Sequence, residues 1–128
     1  MRQPLIAPTT LPDGASKSIA YQAWVLDKQF DSITKAWERT GLSWPEWSAN
    51  ALTRINETEN YAEGSLELML SVWPRGRTGK TRLSFRIYPE TLAAFQKLAQ
   101  DYNGTIQGVI ANCFAMEAAA GYEQSPKR

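Results

Sequence analysis

The chain has 128 residues, 43% hydrophobic and 21% charged with a net charge of +1, enough apolar material for the core of one compact domain or two very small ones. With no histidine and a single cysteine, Cys113, it lacks the commonest general base, the Ser-His and Cys-His nucleophile pairs, and the side chains of most transition-metal sites. No apolar run approaches the roughly 20 residues of a membrane-spanning helix, and the opening MRQPLIAPTTLPDGASK lacks the apolar stretch of a secretory signal, so a cytoplasmic protein with no metal, cofactor or catalytic site is expected.

Residues 1–17 carry Pro4, Pro8, Pro12 and Gly14 without apolar periodicity and read as a flexible arm. The β-branched and aromatic run SIAYQAWVL, Ser18 to Leu26, predicts a strand with Tyr21, Ala23 and Val25 on one face. Asp27 suits an N-cap, and Phe30, Ile33, Ala36 and Trp37 recur at helical spacing up to a stop at Gly41. Ser43 to Glu46, SWPE, is a capping box that opens a second helix using Trp47, Ala51, Leu52 and Ile55.

From Gly64 to Pro74 the alternation of Leu66, Leu68, Leu70 and Val72 favours a strand over a short buried helix, followed by a loop, PRGRTGK. Lys80 to Tyr88 alternates most cleanly of all, with Leu83, Phe85 and Ile87 on one side and Arg82, Ser84 and Arg86 on the other. Pro89 then fits a helix start, and Leu92, Phe95, Leu98 and Ala99 form a stripe ending near Asn103-Gly104. Thr105 caps a last helix with Ile106, Val109, Ile110, Cys113 and Phe114, fading at Gly121 into a flexible tail over 122–128.

The order strand, helix, turn, helix thus occurs twice, over 18–58 and 80–121, with a connector over 59–79. The two copies superpose without a gap at an offset of 62: Val25 falls on Ile87, Phe30 on Leu92, Ile33 on Phe95, Ser43 on Thr105 and Trp47 on Val109. Charge is uneven. Arg75, Arg77, Lys80, Arg82 and Arg86 follow one another with no acidic residue among them, while Glu57, Glu59, Glu63 and Glu67 make the preceding stretch acidic. A magnesium site in that acidic stretch matches no metal-ligand spacing, and a solvated connector is the expected role. The string Gly79-Lys80-Thr81 looks like the end of a P-loop, but position 74 is proline where the first glycine belongs, and a strand rather than a helix follows. Helical spacing places Trp37 and Trp47 in the core, with Trp44 partly exposed, and puts Cys113 on the inner face of its helix.

The stretch Thr81 to Glu117, with its alternating strand, Pro-Glu helix start, Asn-Gly turn and hydroxyl-capped second helix, resembles the ribbon-helix-helix family, the MetJ and Arc class of DNA-binding proteins. The likeness extends more weakly to Ser18 through Asn56, so the chain looks like a tandem version similar to relaxosome proteins of the TraY type. The resemblance implies a mainly α fold with a short two-stranded antiparallel β-ribbon, a tandem pseudodimer whose ribbon enters the major groove of double-stranded DNA. Arg82, Ser84 and Arg86 are then the base-reading positions, with Gln22 and Trp24 their counterparts on the first strand. Thr105, Ile106 and Gln107 would offer helix N-terminal amides to a phosphate, joined by Arg75, Arg77 and Lys80.

Two readings of the first strand stay open: either it reads a different sequence, or Trp24 is buried and this half reads nothing. The implied role is transcriptional repression or assistance at a plasmid transfer origin, with other proteins of such a complex as partners and a monomeric pseudodimer or a homodimer as the assembly. The alternative is a protein-interaction module with an incidental basic cluster.

Overall fold

The computed structural model describes residues 17–61 and 65–124, and the side chains of 58–61, 65 and 121–124 are outside that description. The arm expected over 1–17, apart from Lys17, and the tail from residue 125 lie outside the described residues. The order is β1 (Ile19–Leu26), α1 (Asp27–Thr40), α2 (Trp44–Tyr61), α3 (Ser65–Ser71), β2 (Lys80–Ile87), α4 (Pro89–Asp101) and α5 (Ile106–Gln124), a mainly helical chain with one two-stranded antiparallel sheet.

β1 and β2 pair along their whole length, from Ile19 opposite Ile87 to Leu26 opposite Lys80. Side chains alternate across a strand, so one face of the ribbon carries the apolar side chains of Ile19, Tyr21, Ala23, Val25, Leu83, Phe85 and Ile87, and all are buried but the half-buried Tyr21 and the exposed Ile19 at the end of the ribbon. Five helices supply the other wall of that core. β1 lies against α5 and β2 against α2, so each strand packs on the last helix of the opposite half of the sequence.

Local chemistry sets the boundaries. The Ser43–Glu46 box is formed: the Ser43 amide donates to Glu46 Oε1 at 3.1 Å and the Glu46 amide to Ser43 Oγ at 3.3 Å. Asp27 is the first helical residue of α1 rather than its N-cap, and Leu26 holds the cap position, its amide donating to Gln29 Oε1 at 2.9 Å. The Asp27 carboxylate instead accepts a hydrogen bond from Thr81 Oγ1 at 2.7 Å, fastening α1 to the start of β2. A residue with positive φ follows each of α1 and α4, Gly41 at 73° directly and Asn103 at 58° after the cap Tyr102, and lets the chain reverse into α2 and α5. α5 is buried on nearly all sides over Val109 to Phe114, packs against all four other helices, and continues past Gly121 to Gln124.

The strand expected across Leu66 to Trp73 is a helix. Leu, Glu and Met favour helix and no β-branched residue appears before Val72. What decides it is docking. Leu66 is fully buried, and Leu70, one turn on, lies over the start of α5, where a β-carbon at Gly104 or Gly108 would stand only 2.7 or 3.1 Å from its δ-methyls. Leu68 and Val72, also on the predicted apolar face, are 66% and 70% exposed. The ribbon therefore stays two-stranded, and α3 packs on the helices.

Aromatic rings fill the centre. Phe114 contacts Trp47 and Phe85 edge-on at 5.2 Å each, and lies 6.2 Å from both Trp44 and Phe95. Trp47 is core as expected, whereas Trp37, also expected there, is half-buried at the core's edge, stacked at 4.4 Å on the half-buried Trp44. Cys113 is buried, and Asn112 Nδ2 donates to the Gly108 carbonyl at 2.8 Å, whereas Asn50 is exposed. Ser48 is fully buried with no hydrogen-bond partner for its hydroxyl among the described residues. Because an unpaired buried hydroxyl is costly, Ser48→Ala is expected to raise unfolding stability by about 1 kcal/mol, read as a higher urea midpoint; a lower midpoint would show that the hydroxyl is bonded.

Candidate nucleic-acid interface

Among the described residues no helix lies over the ribbon's other face. The register sets Ala20 opposite Arg86, Gln22 opposite Ser84 and Trp24 opposite Arg82, so every residue expected to read bases lies on one surface. Ala20, Gln22, Arg82, Ser84 and Arg86 are exposed and Trp24 is half-buried. The two arginines of β2 are not equivalent. Arg82 makes no hydrogen bond or ion pair among the described residues, and its guanidinium is open to a partner. Arg86 is anchored: its Nε donates to Ser18 Oγ at 2.9 Å and its Nη2 to the Ser18 carbonyl, a tie at the start of β1 that spacing did not suggest.

Beside the first-strand half of this face, the 74–79 loop and the start of α5 enclose a cleft of about 730 Å³, bordered by Gln22, Trp24, Arg75, Arg77, Lys80, Thr105 and Gln107. The loop is braced from within. Lys80 Nζ donates to the Pro74 and Gly76 carbonyls at 2.6 and 2.7 Å and lies 4.6 Å from the centre of the Trp73 ring. Burial lowers the Lys80 pKa from the ordinary lysine value. This ammonium, expected to meet phosphate, is instead bonded to carbonyls of its own loop. Arg75 and Arg77 are exposed, and the Arg77 guanidinium carbon stands 4.7 Å above the Trp24 ring.

α5 begins here. Thr105 Oγ1 accepts the Gly108 amide at 3.0 Å as the predicted cap, while the amides of Ile106 and Gln107 fall in the first turn, where a helix provides no acceptor of its own. The Ile106 side chain packs on the core, and the Gln107 side chain turns to the ribbon, its Oε1 accepting the Trp24 amide at 2.6 Å. Burial raises the Tyr21 pKa, partly offset by a hydrogen bond with the same glutamine. At the corresponding start of α2, the Glu46 carboxylate occupies the position in front of the helix. One helix start is thus open to an outside anion and the other is closed by the chain's own carboxylate.

Glu57 and Glu67 are exposed, and the side chains of Glu59 and Glu63 lie outside the described residues. Among the described residues no cluster of three or more acidic or cysteine side chains is placed to hold a metal ion, and no helix is long and apolar enough to cross a membrane. No family model matches the chain, and neither a curated protein nor a solved structure matches it.

Proposed function

We propose that this chain is a non-enzymatic, sequence-specific binder of double-stranded DNA, folded as a tandem ribbon-helix-helix pseudodimer that lays its ribbon in the major groove. The observation that carries this reading is the register. Gln22 pairs with Ser84, its own counterpart at the 62-residue offset, as a ribbon with a two-fold axis through that pair requires. α1 and α4, and likewise α2 and α5, begin 62 residues apart, and the positive-φ residues Gly41 and Asn103 keep the same spacing. The exchanged packing, β1 on α5 and β2 on α2, fits two interlocked units, because a lone strand with two short helices leaves its backbone unpaired and too little surface buried.

A two-stranded ribbon fits the major groove, and Arg82 offers the paired donors that suit the O6 and N7 edge of guanine. Ser84 and Gln22 are shorter or less selective readers. Arg75 and the open start of α5 at Thr105, Ile106 and Gln107 stand to the side, where phosphates would pass. Because the two halves differ in every outward residue, the site read is asymmetric. By family analogy the biological role is help at a plasmid transfer origin or transcriptional repression, with other proteins of that complex as partners.

Selection from a pool of randomised duplexes tests the reading: a single asymmetric motif is expected, bound by one chain that sizes as a monomer when free. A pool that shows no enrichment, or a palindromic motif bound by two chains, contradicts it. The second reading, a protein-interaction module, is favoured by the exposed Leu68 on α3 and the exposed Val72 in the turn just after it.

A further inference from the structure

We infer that Arg77, carried by the loop between α3 and β2, is a base-reading residue on the first-strand half of the ribbon, and that Trp24 is the platform that positions it. The inference rests on the duplex-reading proposal and assigns roles that the strands alone do not supply. At the 62-residue offset Trp24 matches Arg86, so the first strand has an indole where the second has a guanidinium. An indole carries one donor and no acceptor, too little to read a base edge. The Arg77 guanidinium stands over that same ring at 4.7 Å, on the exposed side of the ribbon.

The arrangement suits recognition. A guanidinium held over an indole leaves N–H donors for a planar acceptor pair, and the indole limits the freedom of a long side chain. Both partners are fixed from behind. The Trp24 amide is held by Gln107 Oε1 at 2.6 Å. The Arg77 carbonyl accepts the Lys80 amide at 3.0 Å, and the Gly79 carbonyl accepts the Asp27 amide at 2.9 Å. Arg77 lies between Gly76 and Gly79, whose φ angles of 78° and 76° suit glycine and give the loop its tight path back to the ribbon. Arg75 is exposed with no ring beneath it among the described residues, so its cation is left for the phosphate backbone.

The test uses the full chain, the duplex recovered by selection, and duplexes changed at one base pair at a time. Arg77→Ala is expected to erase the preference at one base pair in the half facing β1, a loss of about 5- to 150-fold in discrimination, with preferences elsewhere kept. Arg77→Lys should fail to restore it, because an ammonium is a point charge without paired donors. Trp24→Ala should blur the same base pair, Trp24→Phe should recover part of it, and Arg77→Ala combined with Trp24→Ala should do no more than Arg77→Ala alone. If Arg77→Ala weakens every duplex evenly, as Arg75→Ala is expected to, or if Arg77→Lys reads as the unaltered chain does, this inference is overturned while duplex reading stands. An unaltered chain that binds no duplex overturns both.

Discussion

Replacement of Phe114 by alanine is expected to cost about 3–5 kcal/mol of unfolding free energy, a large share of the 5–15 kcal/mol that typically holds a domain of this kind together. The ring is fully buried, and its neighbours come from both halves of the sequence: Trp44 and Trp47 from α2, Phe85 from β2 and Phe95 from α4. No small side chain can collapse into a space walled by four rings without moving two helices and the ribbon. The two halves should therefore lose stability together, as one urea transition at a lower midpoint. Two separated transitions would show that the halves fold as independent units and that the shared aromatic centre is not what joins them.

The second large effect concerns recognition. Arg82→Ala should lower discrimination at its base pair by about 1–3 kcal/mol while leaving the fold intact, because the side chain is exposed and makes no hydrogen bond or ion pair among the described residues. Arg86→Ala is expected to behave differently. Two of its nitrogens hold Ser18 at the start of β1, so the change should reduce stability as well as binding, and its specificity loss should be the smaller. Competition binding against single-base variants of the selected duplex separates the two. Equal losses of discrimination would mean that Arg86 leaves Ser18 to read DNA.

Where one local cause dominated, structure was legible in the sequence. Strict alternation identified β2, the Ser43–Glu46 box and Pro89 marked helix starts, and Gly41 and Asn103 marked the reversals. α3 was misread because Leu66, Leu68, Leu70 and Val72 alternate, while Leu66 and Leu70 are equally one helical turn apart. The room that Gly104 and Gly108 leave for Leu70 settles it, and that lies some 34 residues further along the chain. The helix-forming Leu-Glu-Leu-Met run was the signal available.

For the interface, alternation placed Arg82, Ser84 and Arg86 on one face, the ribbon-helix-helix resemblance set Gln22 and Trp24 beside them, and the register brings all five to one surface. Charge alone did not distinguish the cations. Lys80 turns into its own loop, to carbonyls four and six residues back, whereas Arg86 ties down Ser18 and Arg77 rests on Trp24 from 68 and 53 residues away, pairings that depend on the fold bringing distant segments together. Trp24 is half-buried, so burial by itself does not choose between the two sequence readings of the first strand.

The central claim is that the uncovered ribbon face and its arginines meet the major groove of duplex DNA. The most direct test is the affinity for a labelled duplex, measured by fluorescence anisotropy over a series of salt concentrations. The account predicts tight binding at low salt that falls linearly on a log–log plot, with a slope of about 0.9 for each phosphate engaged. Absence of duplex binding at low salt, or an affinity indifferent to salt, would contradict it and favour a protein partner for the exposed face of α3.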